Sequence, residues 1–293
     1  MGTALAIRLS QAGYAISEII ARQDRRSLMR ARKLARSLET PVTTARTARL
    51  NAEVIWFCVP DSEIAKAARD LAHQSWRGKI AFHSSGALAS DALGLLLKKG
   101  AAVASVHPLM TFARGSVPEL GGVSFAIEGH THATRTAKRI IHDLGGEFFL
   151  LRKQHKPAYH AFATMICPLL VSLLAASEKA AALAKISGRE ARRRMTPIIT
   201  QTLANCAKLG PPAAFSGPVV RGDVETIRRH LRALNKAPAA RLAYAALAAA
   251  ALEHLPSRNT EQIRDILRKI NPEAARRSGK RKRPASRRST PRS

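Results

Sequence analysis

The chain has 293 residues, enough for one large domain or two of ordinary size, and 46% of them are apolar, ample for a packed core. Its 49 Lys and Arg against 20 Asp and Glu give a formal net charge of +29, which either attracts polyanions or reflects a general arginine bias. The three cysteines, Cys58, Cys167 and Cys206, lie far apart in apolar contexts and exclude both a disulfide framework and a zinc site, so reduced thiols and a cytoplasmic setting are expected.

Met1–Tyr14 (MGTALAIRLSQAGY) reads as the second half of a nucleotide-binding βα unit. In the fingerprint G-x-G-x-x-G the last glycine permits close helix–strand packing, and Gly2 stands in that position, ahead of an amphipathic helix closed by Gly13. The strand and the earlier glycines that belong before it are missing. Met1 leads into this helix rather than into an extended apolar run, so no signal peptide is expected. In the usual doubly wound order the first strand is central, so losing it opens a gap in the sheet. The reading is therefore that Met1 is not the true start, or that the product is defective.

The elements that follow alternate. Ile16–Arg22 is a short strand and Ser27–Leu38 a basic helix. Val54–Pro60 (VIWFCVP) is a continuous run of β-formers, as expected of a strand buried on both faces. A helix over Ser62–Ala72, a strand over Lys79–His83, a helix over Asp91–Lys99 and a strand over Ala102–Val106 come next. Strands over Val123–Ile127 and Phe148–Leu151 then flank a helix over Thr131–Leu144. This alternation predicts a doubly wound, mostly parallel sheet of the α/β class.

Near His155 strand signals stop and alanine-rich helical periodicity begins. A helix kinked at Pro168 is predicted over Pro157–Lys185, and its uncharged run Ala161–Ser177 reads as a buried bundle helix rather than a membrane span. Ser187-x-x-Glu190 caps a second helix towards Leu209, and Gly210–Pro211–Pro212 breaks it. Further helices are expected over Val224–Leu234, capped by Asp223, over Pro238–Leu255, and over Glu261–Ile270, capped by Asn259. The tail Glu273–Ser293 carries nine basic residues against one acid and almost no large apolar side chain, so it reads as disordered. It would bind nucleic acid non-specifically by charge, since it has no aromatic residue on which bases could stack. The chain thus divides into residues 1–153, 154–272 and a basic tail, 273–293.

Ligands of open α/β sheets bind beyond the carboxyl ends of the strands. After the first strand come Arg22, Arg25 and Arg26, which suit the 2′-phosphate of NADP better than the ribose hydroxyls of NAD, or form a solvated helix start. After the second apolar run, Val59–Pro60 lies where such enzymes line the cofactor, with Asp61 or Ser62 as a helix cap. Ser84–Ser85–Gly86 follows the next strand, where its hydroxyls and amides could face nicotinamide or substrate; no G-x-S-x-G elbow surrounds it, which argues against a serine hydrolase. His107 ends a strand and is either structural or an acid–base group. Tyr159 and His160 open the first helix of the helical half and could donate a proton to a carbonyl or imine. Arg221 could clamp a substrate carboxylate, with Asp223 and His230 nearby, or be a surface residue beside a helix cap.

Taken together, the ordered segments Met1–Leu5, Val59–Asp61, His83–Leu88 (HSSGAL), His107–Phe112 (HPLMTF), Tyr159–Ala161 (YHA) and Gly217–Asp223 (GPVVRGD) resemble one family. It is the Rossmann-like oxidoreductases that carry a helical C-terminal domain of unknown function 2520, relatives of pyrroline-5-carboxylate reductase and of the 6-phosphogluconate dehydrogenase superfamily. The resemblance covers about Met1–Leu255. It implies an NAD(P)-binding Rossmann-like domain followed by an all-α domain, hydride transfer with a small carbonyl, imine or hydroxy substrate, and a homodimer paired through the helical domains. Pro168 stands where relatives tend to show Asn. The expected function is NADP-dependent oxidoreduction; a degenerate, non-catalytic nucleotide-binding protein and a polyanion-binding protein are the alternatives.

Overall fold

The apolar strands assemble by burying alternate side chains on opposite faces. In the computed structural model, which describes residues 1–270, the chain divides into two compact units, Met1–Cys167 and a second beginning at Pro168. The predicted tail and the end of the predicted 154–272 domain lie outside the described residues, wholly and in part respectively.

The first unit opens with α1 (Gly2–Gln11), β1 (Ile19–Ala21), α2 (Arg25–Ser37), β2 (Val42–Thr44), β3 (Val54–Phe57), α3 (Asp61–Leu71) and β4 (Ile80–His83). It continues with α4 (Gly94–Lys98), β5 (Ala102–Pro108), β6 (Ser124–Gly129), α5 (Thr131–Asp143), β7 (Glu147–Leu150) and α6 (Lys156–Ile166). Five strands form one sheet in the order β3-β4-β5-β6-β7. Ile55, Phe57, Ala81 and Val103 pack on one face with Ile64, Ala68 and Leu71 of α3 and Leu96 of α4. Ile80, Phe82, Ala104, Val106, Phe125 and Ile127 pack on the other with Leu5 of α1 and Ile140 and Ile141 of α5. Helices on both faces explain why β4 is buried at every position and reads as a continuous apolar run.

β1 and β2 pair with each other in a separate two-stranded parallel sheet, in register Ile19↔Val42 to Ala21↔Thr44. β1 does not pair with β3, so the two sheets are separate. Two details differ from the sequence reading. β2 was not predicted, because three residues behind Pro41 are too short to show a period. β6 also runs antiparallel to β5, whereas β3, β4, β5 and the pair β6–β7 are parallel. The segment between β5 and β6 contains no helix, and a parallel return requires a crossover of a dozen or more residues, usually helical.

The second unit contains α7 (Pro168–Leu183), α8 (Gly188–Leu209), α9 (Pro211–Ala214), α10 (Pro218–Arg221), α11 (Val224–Ala233), α12 (Pro238–His254) and α13 (Thr260–Arg268). Its core gathers Val219, Ile227, Leu231, Ala245, Ala248, Ile263 and Leu267. Ser187 caps α8 by accepting from the Glu190 amide, and Asp223 caps α11 by accepting from the Thr226 amide, as the sequence indicates. Asn259 does not cap α13. It adopts a left-handed conformation, and its side-chain amide donates instead to the Gly222 carbonyl at 2.9 Å.

The predicted long helix is interrupted at Cys167, whose backbone (φ −122°, ψ −84°) leaves the helical region just before Pro168. The expectation of a buried bundle helix fails. α7 contains no buried residue, and Leu169 and Val171 on it and Ile198, Leu203 and Leu209 on α8 are exposed. The reason is compositional: apolar residues occupy every side of α7, more than its neighbours α8 and α12 can cover. The helical stretch Lys153–Leu183 is long and apolar enough to cross a membrane by length and composition.

Candidate active site at the strand ends

The carboxyl ends of β3, β4 and β5 converge with the first turns of α6 inside the first unit. Lys156, Tyr159 and His160 share one face of α6 because positions i, i+3 and i+4 neighbour each other on a helix. Lys156 is only 1% exposed. Its Nζ donates to Ser105 Oγ at 2.7 Å and to the Ser85 carbonyl at 3.2 Å. The Ser105 hydroxyl also donates to the Ser85 carbonyl, at 3.0 Å. Burial pulls the Lys156 ammonium down to a pKa of about 8, against the opposing pull of the Glu128 and Asp61 charges.

His107 and Tyr159 form a hydrogen-bonded pair, Nδ1 to hydroxyl at 2.7 Å, with their rings edge to face. Burial, followed by the positive charge of Lys156, lowers the His107 pKa to about 4, so the ring is neutral near pH 7. Burial raises the Tyr159 phenol to about 12, so it keeps its proton. The phenol and Nδ1 share this hydrogen bond, and Nε2 is the other edge of the ring. That edge lies over Gly86: a Cβ built there would stand 2.9 Å from His107 Nε2 and 2.7 Å from His160 Cδ2. Glycine at position 86 thus lets both imidazoles close onto this loop.

The hydroxyls of Ser84 and Ser85 are not free, as the sequence reading would have them. Ser84 Oγ accepts from the Trp56 indole at 2.8 Å, and Ser85 Oγ donates to Asp61 at 2.7 Å while accepting from the Leu88 amide at 2.9 Å. Both serines are buried. They brace the loop that carries Gly86. Asp61 is not a helix cap, nor is Ser62; the N-cap of α3 is Pro60, and the Asp61 carboxylate is spent on Ser85. Pro60 is exposed and Val59 packs against the core around β3. His83 is a core histidine: its Nδ1 accepts from the Ser85 amide, its Nε2 reaches the Ala89 carbonyl at 3.0 Å, and burial lowers its pKa.

At the cofactor end, a Cβ on Gly2 would stand 2.8 Å from Cys58 Cβ, so only glycine lets the start of α1 approach the end of β3 this closely. Cys58 itself is held by burial at a pKa of about 12 and is no nucleophile. Arg22 follows β1, and Arg25 and Arg26 form the first turn of α2; all three are exposed. Asp24 is already committed. One of its oxygens caps α2 at the Ser27 amide and the other pairs with Arg22 at 3.5 Å. Both of its oxygens already have a partner within the chain, whereas Arg25 and Arg26 have no ion-pair partner among the described residues. The glycine cradle and this set of cations fit the phosphates of NADP.

Arg221 and His230 belong to the second unit. Arg221 is exposed at the end of α10, and His230 is exposed with its Nδ1 3.1 Å from the Tyr244 hydroxyl. Sequence reasoning missed Lys156, Ser105 and Glu128. For Lys156 the available signal was its spacing, three and four residues ahead of Tyr159 and His160; for Ser105 it was a lone hydroxyl inside an apolar strand.

Two family models divide this chain. That of the Rossmann-like domain matches residues 1–108, and that of the Domain of unknown function (DUF2520) matches residues 123–251. The chain is a Rossmann-like domain followed by a DUF2520 domain. The DUF2520 match begins upstream of β6, so β6, β7 and α6, with Lys156, Tyr159 and His160, belong to it although they fold into the first unit. Among solved structures, the chain is 22% identical to BF3122 of Bacteroides fragilis, named as a candidate NADP oxidoreductase, with a TM-score of 0.70 over 85% of this chain and 92% of that one. It is 23% identical to TM1727 of Thermotoga maritima, with a TM-score of 0.63 over 94% and 96%. It is 15% identical to a reductive aminase of Aspergillus terreus in complex with NADPH and ethyl-5-oxohexanoate, with a TM-score of 0.59 over 91% and 95%. At these identities the likeness is one of fold. No curated protein matches the sequence.

Proposed function

We propose that this Rossmann–DUF2520 protein is an NADP-dependent oxidoreductase that reduces a small carbonyl or imine. The observation that carries the reading is the His107–Tyr159 pair packed on the Gly86 loop, at the strand ends where ligands of such sheets bind. The names of its structural neighbours, among them a reductive aminase with bound NADPH, support it. Arg22, Arg25 and Arg26 would hold the 2′-phosphate, and Gly2 would admit the phosphates at the start of α1. When bound, the cofactor supplies the hydride.

The chain's own residues manage the proton. His107 and Tyr159, joined by their hydrogen bond, give the substrate oxygen or nitrogen one proton as that atom gains electron density, and water restores that proton to the pair. Neutral His107 is required for this exchange, and the buried Lys156 charge helps keep it neutral. His160 packs on the same glycine.

The test is cofactor binding followed by fluorescence. NADPH should bind at least tenfold more tightly than NADH, a difference of about 1.4 kcal/mol. Arg22→Ala should narrow that preference. Equal binding of both cofactors, or binding of neither, overturns the proposal. A non-catalytic nucleotide-binding role is the second reading, favoured by the gap between β1 and β3. NADPH binding with no turnover of any ketone or imine would carry it.

A further inference from the structure

We infer that the solvent face of α2 is a binding surface for the phosphate backbone of duplex nucleic acid. The helix carries Arg25, Arg26, Arg30, Arg32, Lys33 and Arg36 and no acidic residue. All six are exposed, while Ala31 and Ala35 are buried and Leu28, Leu34 and Leu38 are partly buried. At 100° per residue the six cations occupy one arc of about 160° and the apolar residues the opposite arc. The helix therefore presents a cationic face to water and spends its apolar face on the protein.

Among the described residues, Glu39 just past α2 lines a surface hollow with Arg32 and Arg36 but pairs with neither. Among the described residues, none of the six takes part in an ion pair, whereas Arg192, Arg194, Arg228, Arg229 and Arg232 on the other arginine-rich helices all have glutamate partners. From Arg25 to Arg36 the helix rises about 16 Å, which places a cation every 3 Å or so along its axis. Duplex DNA carries one charge per ~1.7 Å, so the match is of sign and of comparable linear density. The chemistry selects the occupant further. α2 has no aromatic residue on which to stack unpaired bases, so it does not suit single strands. Its apolar residues face the protein, and only Met29 stands exposed among the cations, so it lacks the apolar wedge that lets an amphipathic helix enter a bilayer. The inference does not rest on the NADP reading, although Arg25 and Arg26 are shared with it.

The test uses the full chain and separates the two uses of α2. Binding to a 20-base-pair DNA duplex is followed by fluorescence anisotropy across a series of salt concentrations. The variant Arg30→Gln/Lys33→Gln/Arg36→Gln changes only exposed positions, keeps good helix formers and leaves Arg22, Arg25 and Arg26 in place. Removing three phosphate contacts should reduce the slope of log K against log salt by about 2 to 3, with NADPH binding unchanged. A second variant, Arg30→Lys/Arg36→Lys, should retain the wild-type slope. An unchanged slope in the triple variant, no duplex binding by the wild type, or stronger binding to vesicles of anionic phospholipid than to the duplex would each overturn the inference.

Discussion

Replacing Lys156 by Met should make the protein more stable while making its histidine chemistry worse. Burial lowers the Lys156 pKa from 10.5 to about 8, which at pH 7 corresponds to about 3 kcal/mol spent on keeping the charge inside. The methionine fills a similar volume without that charge. What is lost is the ammonium's donation to Ser105 and Ser85, but Ser105 still donates to the Ser85 carbonyl, so the loss is about 1 kcal/mol. The net expectation is a gain of about 2 kcal/mol at pH 7, read from the urea midpoint. The sign depends on pH. Because the folded pKa is the lower one, the unfolded chain binds the extra proton between pH 8 and 10.5, and wild-type stability rises across that window. The advantage of Lys156→Met should therefore vanish near pH 10. Because Lys156 also lowers the His107 pKa, His107 should titrate above its wild-type value of about 4 in the variant. A variant that is less stable at pH 7, a stability difference that ignores pH, or an unmoved His107 titration would refute the reasoning.

Gly86→Ala should abolish reductase activity and lower stability by about 1–3 kcal/mol, because its Cβ would lie within 3 Å of both His107 Nε2 and His160 Cδ2 and push the imidazoles from their places; steady-state kinetics beside a thermal melt checks this. His107 has a folded pKa lowered from 6.5 to about 4, so its contribution to stability is intact above pH 6.5 and falls by up to about 3 kcal/mol as the pH drops towards 4. Urea midpoints at pH 7 and 4.5 should show that loss, and His107→Gln should reduce it. Equal loss in both proteins would exclude His107 as its source.

Much of the candidate site could be read in the sequence because strand ends announce themselves. His107, Ser84–Gly86 and the arginines after β1 each follow an apolar run of β-formers, and sheet topology assigns function to such positions before any contact is known. Their roles were less legible. Ser84 and Ser85 look like free ligands in the sequence, yet the fold spends both hydroxyls on Trp56 and Asp61. Lys156 looks like any surface cation at a helix start, and only packing shows it buried against Ser105.

By itself, the sequence determined the alternation of strands and helices, the change to an all-helical half, and the caps at Ser187 and Asp223. These follow from local periodicity and side-chain chemistry, which act over a few residues. The tertiary structure alone decided the antiparallel β6, the exposed apolar α7, the linkage of Asn259 to Gly222 and the paired His107 and Tyr159, 52 positions apart. Each of these depends on which surfaces meet after the chain has closed long loops, and on how desolvation there moves a proton; neither leaves a local pattern to read.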